Sequence, residues 1–168
     1  MDTKKLYPLL GLPLIAFNIS VMAQDGKAYP GALCQPETNT ESILRNNKGM
    51  MFNTGTEPQT WICPIVRDRI GSLEEAIIRV QDNNGDLNAD ISCTFFSRKP
   101  KGQLVASETQ KTTGTTGVIN LMYGGGTPDT DINSHPKGYY YFRCTIPGTF
   151  GGLRSGVVEY LVSEKGNT

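Results

Sequence analysis

The stretch Trp61-Ile62-Cys63-Pro64-Ile65-Val66-Arg67-Asp68 decides how the chain is read. It places the only tryptophan two residues before a cysteine. In an extended strand side chains alternate, so Trp61, Cys63 and Ile65 share one face. A cysteine flanked on its own face by tryptophan and isoleucine has the pattern of a disulfide buried in a β core. Pro64 has no amide donor, which predicts that this strand is an edge or carries a bulge there.

The same alternation recurs outward from this stretch. Ala76, Ile78 and Val80 alternate with Ile77, Arg79 and Gln81, and Ile91, Cys93 and Phe95 alternate with Ser92, Thr94 and Phe96. Tyr140, Phe142, Cys144 and Ile146 alternate with Tyr139, Tyr141 and Arg143, and Val158, Tyr160 and Val162 with Val157, Glu159 and Leu161. Gln103 to Thr109, Val118 to Tyr123 and a stretch near Met50 to Asn53 complete a set of about eight strands. Thr40 to Asn46 is the one helix candidate. Three turn signals, Asn83-Asn84-Gly85-Asp86, Pro100-Lys101-Gly102 and Gly114-Thr115-Thr116-Gly117, predict hairpins between successive strands. The fold class is therefore all-β: a single antiparallel β-sandwich, jelly-roll-like or immunoglobulin-like, since both share this strand number and alternation.

Residues 1–23 read as a secretory signal peptide. Lys4 and Lys5 precede an uncharged apolar run from Leu6 to Met22, and Val21-Met22-Ala23 supplies small residues for cleavage after Ala23. The run is short for a membrane span and is interrupted by Pro8, Gly11 and Pro13. The expected mature domain is 24–168, without membrane insertion after signal removal, located in the periplasm or secreted. The whole chain carries 16 basic and 16 acidic residues. Losing Asp2, Lys4 and Lys5 leaves it one unit negative, with no basic cluster that would favour nucleic acid.

All four cysteines lie after the cleavage point, and an even number in an exported chain implies two disulfides. Cys93 shares the apolar face of Ile91 and Phe95, and Cys144 that of Phe142 and Ile146. Both thiols should point into the core, which pairs Cys93 with Cys144 and leaves Cys34 with Cys63.

Several segments together resemble a group of exported bacterial proteins to which no activity is attached. They are Tyr29-Pro30-Gly31-Ala32-Leu33-Cys34-Gln35, Cys63-Pro64-Ile65-Val66-Arg67-Asp68, Arg79-Val80-Gln81-Asp82, Cys93, and Cys144-Thr145-Ile146-Pro147. The resemblance spans most of the mature chain. It implies a secreted β-sandwich and brings no catalytic or binding residues with it.

Candidate sites come from the residues alone. Tyr139 and Tyr141 fall on the opposite strand face from Phe142 and Cys144, where with Arg143 they form a platform for a sugar ring or a protein partner. Asp82, Asn84 and Asp86, followed by Asn88 and Asp90, place hard oxygens at alternate positions, as calcium prefers. The spacing departs from an EF-hand loop, with Leu87 and Cys93 where glycine and glutamate belong. The simpler reading is a polar turn tied by the Asp82 side chain, and no cofactor is expected apart from this candidate calcium. Asp129, Asp131, Asn133 and His135 alternate in the long connection Gly124 to Gly138, read as a solvated loop. No nucleophile, zinc or phosphate-loop motif occurs. Glu37, Glu57, Glu74, Glu108 and Glu159 leave a carboxylate-based glycan-active enzyme as a third reading. The sequence favours an exported, non-catalytic binding module for a glycan or protein partner, with a structural or surface-assembly component second.

Overall fold

The computed structural model describes residues 25–38, 42–67, 73–84, 89–124 and 137–164. The expected signal peptide, Asp86, Asn88 and the Asp129 to His135 stretch lie outside these residues. Eleven strands are described: β1 (Asp25–Pro30), β2 (Gln35–Pro36), β3 (Ile43–Arg45), β4 (Met51–Asn53), β5 (Gln59–Ile65), β6 (Leu73–Asp82), β7 (Ser92–Arg98), β8 (Leu104–Lys111), β9 (Gly117–Gly124), β10 (Tyr139–Ile146) and β11 (Gly156–Glu164). A 3-10 turn, Gly31–Leu33, follows β1. The helix expected over Thr40 to Asn46 is replaced by β3, whose Ile43 packs against the core as a strand residue. Tertiary pairing with β4 overrides a weak local preference.

The strands form two sheets. The first runs β3-β4-β11-β6-β9, with β1 also on β11; the second runs β2-β5-β10-β7-β8. The antiparallel pairs β4 with β11, β5 with β10, β6 with β9 and β7 with β8 nest one inside the next. That is one long hairpin rolled across both sheets, so the sandwich is a jelly roll rather than an immunoglobulin-like fold. The rolling corrects two of the three expected hairpins. Pro100-Lys101-Gly102 does join partners, but β6 and β7, on either side of Asn83 to Asp86, lie in different sheets, as do β8 and β9, on either side of Gly114. A short connection between strands fits an inter-sheet crossing as well as a hairpin.

The alternation places the core as expected except in β11, where an irregularity between Val157 and Glu159 turns Val157 inward in place of Val158. Trp61, Cys63, Phe95, Phe142, Cys144, Ile78 and Tyr160 are wholly buried. Phe142 sits at the centre of an aromatic cluster, 5.4 Å from Phe95, 5.3 Å from Tyr123 and 5.9 Å from Tyr160 between ring centroids. Both expected bridges are present, Cys34–Cys63 and Cys93–Cys144. Cys93 and Cys144 are directly opposed residues of β7 and β10. Cys34, which ends the 3-10 turn, is tied to β5. Both bridges therefore bind elements on the side of the second sheet.

Polar ties cross between the sheets. The hydroxyls of Tyr123, Tyr160 and Tyr29, all from the first sheet, donate to the carbonyls of Cys93, Pro64 and Val66. Burial holds the phenols of Tyr123 and Tyr160 above the ordinary tyrosine range, because a phenolate would be desolvated there. Glu164, 1% exposed on its side chain, accepts from Lys27 at 2.9 Å and from Arg67 at 3.2 Å. The Arg67 guanidinium also lies 4.7 Å from the Tyr140 ring centroid. Gly31 presses against β11, where a methyl group would run into the carbonyl of Val157.

Candidate ligand-binding face

The outer face of the second sheet carries the candidate residues Tyr139, Tyr141 and Arg143. Tyr139, Tyr141 and Arg143 alternate outward along β10 while Tyr140, Phe142 and Cys144 point inward. The expected trio thus shares one face. On it Tyr141 lies opposite Phe96 of β7 and Pro64 of β5, and Tyr139 lies opposite Arg98. The rings of Phe96 and Tyr141 stack at 5.0 Å and 19°, and those of Tyr141 and Tyr139 at 6.3 Å and 20°. Near-parallel rings at these separations are offset-stacked, overlapping like tiles. Tyr139 is 41% exposed.

Arg98 fixes the row. Its Nε donates to the Tyr141 hydroxyl oxygen and its Nη1 to the Gly102 carbonyl, both at 2.8 Å. Its guanidinium carbon lies 5.3 Å from the Phe96 centroid and 5.9 Å from that of Tyr141. Gly102, with φ +83°, turns the β7–β8 hairpin so that the Tyr139 hydroxyl lies 3.8 Å from where its β-carbon would be. Beside the tyrosines is a groove of about 420 Å³ lined by Ile62, Pro64, Ile65 and Tyr139 to Tyr141. It opens where β2 stops: β2 pairs β5 only at Trp61 and Ile62, so Pro64 is a local edge, as its missing donor predicts. The volume falls within the range of small-ligand sites.

Arg143 differs from the expectation in one respect. It is paired with Glu37, Nη2 to Oε2 at 2.7 Å. The hydrogen bond from Arg143 holds the Glu37 carboxyl below the usual carboxylate range, and Glu37 in turn raises the guanidinium. Phe96, Arg98, Ile62 and Pro64 were missed by sequence reasoning. The alternation of Cys93 and Phe95 inward already places Phe96 outward; what it lacks is the fact that β7 lies beside β10.

Of the candidate calcium residues, Asp82 and Asn84 are hydrogen-bonded within the protein, and Asp86 lies outside the described residues. The Asp82 carboxylate, in a residue 2% exposed, accepts from the Asn84 and Ile91 amides and from the Thr112 and Ser155 hydroxyls. The Asn84 side chain donates to the Gly148 carbonyl. The bond from the Asn84 amide is the turn tie the sequence predicts. Among the described residues no cluster of three His, Cys, Asp or Glu side chains is placed to hold a metal. Among the described residues no carboxylate lines the groove. Of those named for an enzymatic site, Glu37 and Glu159 are engaged with Arg143 and Arg79.

No protein-family model matches the chain, and no curated protein matches it in sequence. Solved structures match it in fold. A low affinity xylan binding module, CBM86, from Roseburia intestinalis is 10% identical at a TM-score of 0.50, over 84% of this chain and 96% of that one. A family two carbohydrate esterase from Cellvibrio japonicus is 10% identical at 0.46, over 85% of this chain and 34% of its own length. Infectious bursal disease virus, Gx strain, contributes a match of 14% identity at 0.45, over 96% of this chain and 37% of that one. The chain thus spans about a third of the esterase. At these identities the likeness shows a fold.

Proposed function

We propose that the protein is an exported, non-catalytic module that binds a glycan on the outer face of its second sheet. One observation carries the reading: Phe96, Tyr141 and Tyr139 form an ordered row of offset-stacked rings beside a groove of ligand size. A sugar ring presents C–H groups along one face, and an exposed aromatic row receives it with little conformational entropy lost. Arg143, midway along the same strand, and Glu37, which follows β2, supply hydrogen-bonding groups farther along the face. The two disulfides suit an oxidising compartment, in keeping with the signal peptide and with the exported proteins the chain resembles. The neighbouring fold of a xylan binding module supports the same reading.

Affinity electrophoresis against a panel of polysaccharides tests it. The double variant Tyr139→Ala/Tyr141→Ala should weaken binding about thirtyfold, the effect of losing a hot-spot aromatic worth about 2 kcal/mol. Undiminished binding by a folded double variant removes the platform.

The second reading, a surface-assembly component, is favoured by β9. Among the described residues this eight-residue edge strand has no partner on its outer side, and it contains neither charge nor proline. Such an edge is a template for strand addition. Light scattering would show a concentration-dependent dimer under that reading, abolished by Asn120→Lys or Met122→Lys.

A further inference from the structure

We infer that the ligand of this face carries a carboxylate, so that the glycan is uronate-bearing. The inference rests on the glycan reading above and adds the chemical class. Arg98 lies against the ring row with two of its nitrogens committed, to Tyr141 and Gly102, and its Nη2 has no partner among the described residues. No carboxylate pairs with it there. The turn that follows adds Lys99 and Lys101, neither of them in an ion pair among the described residues, and Ser97 to Gln103 holds three cations and no acid. Because the Tyr139 hydroxyl rests beside Gly102 of this turn, the cations border the exposed end of the ring row.

Midway along β10 the face differs. There Arg143 is neutralised by Glu37. The face is thus polarised along β10, with a balanced pair at mid-strand and an unbalanced positive patch beside its Tyr139 end. The whole chain has a formal charge of +0, so the patch is a local arrangement rather than a general basic character. A guanidinium held rigid over aromatic rings loses little entropy when it donates to an anion. A sugar ring seated on Tyr139 and Tyr141 has its exocyclic carboxylate within reach of such a donor, with the lysines adding longer-range attraction. An acidic peptide would satisfy the cations but would leave the ring row unused, so the glycan is the favoured anion.

Matched ligands test this. Polygalacturonate, alginate and glucuronoxylan are each compared by calorimetry with their carboxyl-reduced forms. At least one acidic polymer should bind about tenfold more tightly than its reduced form, and raising salt from about 20 mM to about 500 mM should erase most of that difference. Lys101→Gln should lower acidic binding about threefold, and Arg98→Gln about tenfold, with reduced polymers little affected by Lys101→Gln. Lys101 sits on an exposed turn, so that variant keeps the test valid even if Arg98→Gln fails to fold. Equal binding of acidic and reduced forms overturns the inference and leaves the glycan reading standing. Acidic binding that survives Tyr139→Ala, or that polyglutamate abolishes at equal charge, marks simple ion exchange or a peptide site and overturns it too. Silence toward every polymer, acidic and reduced, overturns both.

Discussion

Replacing Asp82 with alanine should cost about 3–5 kcal/mol, a large part of the about 5–15 kcal/mol that holds a domain folded. The figure follows from its partners. Two of the four donors, the Asn84 and Ile91 amides, have alternatives: Asn84 is only half-buried, and the Ile91 N–H also reaches Thr112 Oγ1 at 3.0 Å. The Ser155 hydroxyl, 3.1 Å from Oδ1, and the Thr112 hydroxyl lose their main acceptor in a dry setting. Each stranded buried donor costs about 1–3 kcal/mol, and the emptied side-chain volume adds to that. Asp82→Asn keeps one acceptor oxygen but turns an amide toward the Ile91 N–H, and should cost about half as much. Urea denaturation followed by Trp61 fluorescence would read the alanine variant as a midpoint lowered by about 2 M. In a cycle with Thr112→Val the two changes should couple by at least about 1 kcal/mol. A loss below about 1 kcal/mol, or simple additivity, would refute the claim that Asp82 pins β6, β7, β8 and β11 together. Since its oxygens are already taken, millimolar calcium or a chelator should leave the midpoint where it was. A calcium-induced rise would restore the metal reading.

Three further outcomes are expected. Stability should fall steeply above about pH 10: Tyr123 and Tyr160 stay protonated when folded but ionise when unfolded, so each removes about 1.4 kcal/mol per pH unit beyond the free phenol's pKa. Phenolate absorbance should appear together with unfolding rather than ahead of it. Cys93→Ser and Cys34→Ser should be nearly matched, because both cysteines are wholly buried. The longer loop, 51 against 29 residues, makes the Cys93 variant the weaker by only about 0.5 kcal/mol in denaturant. Glu164→Gln should lose about 2–4 kcal/mol in thermal or chemical melts, because it removes the charge of a buried carboxylate that accepts from both Lys27 and Arg67.

The parts of the molecule legible in the sequence are those governed by a period of two. Trp61, Cys63 and Ile65 inward, Tyr139 and Tyr141 outward, and the facing of Cys93 and Cys144 all follow from alternation. Which strand lies beside which does not. The Asn83 to Asp86 stretch looks like a hairpin because its residues favour a reversal, yet the strands that flank it, β6 and β7, lie in opposite sheets. For the same reason the sequence shows Tyr141 but not its neighbour Phe96, which lies far away along the chain and is brought alongside only by the roll. The short strands β2 and β3 escape detection because two or three residues hold no period. Tyr29, Arg67, Arg79 and Asp82 carry ties that alternation does not announce: Tyr29 to the Val66 carbonyl, Arg67 to Glu164, Arg79 to Glu159 and Asp82 to its four donors. Those residues hold the sandwich together, while Phe96, Tyr139, Tyr141 and Arg143 face outward from the second sheet.

The confinement of both disulfides to one side has a mechanical consequence. β1 and β11 lie antiparallel in the first sheet with Asp25 opposite Glu164. Tension applied at those two residues peels the pair apart rung by rung, the geometry of a zipper, and no covalent staple stands in the way. Once the first sheet has opened, the bridges set the limit of travel. Loops with sequence separations of 29 and 51 stay closed and withhold about 270 Å of contour at 3.3–3.6 Å per residue. Under load the oxidised domain should yield at low force and then stop short, while the reduced one pays out its full length.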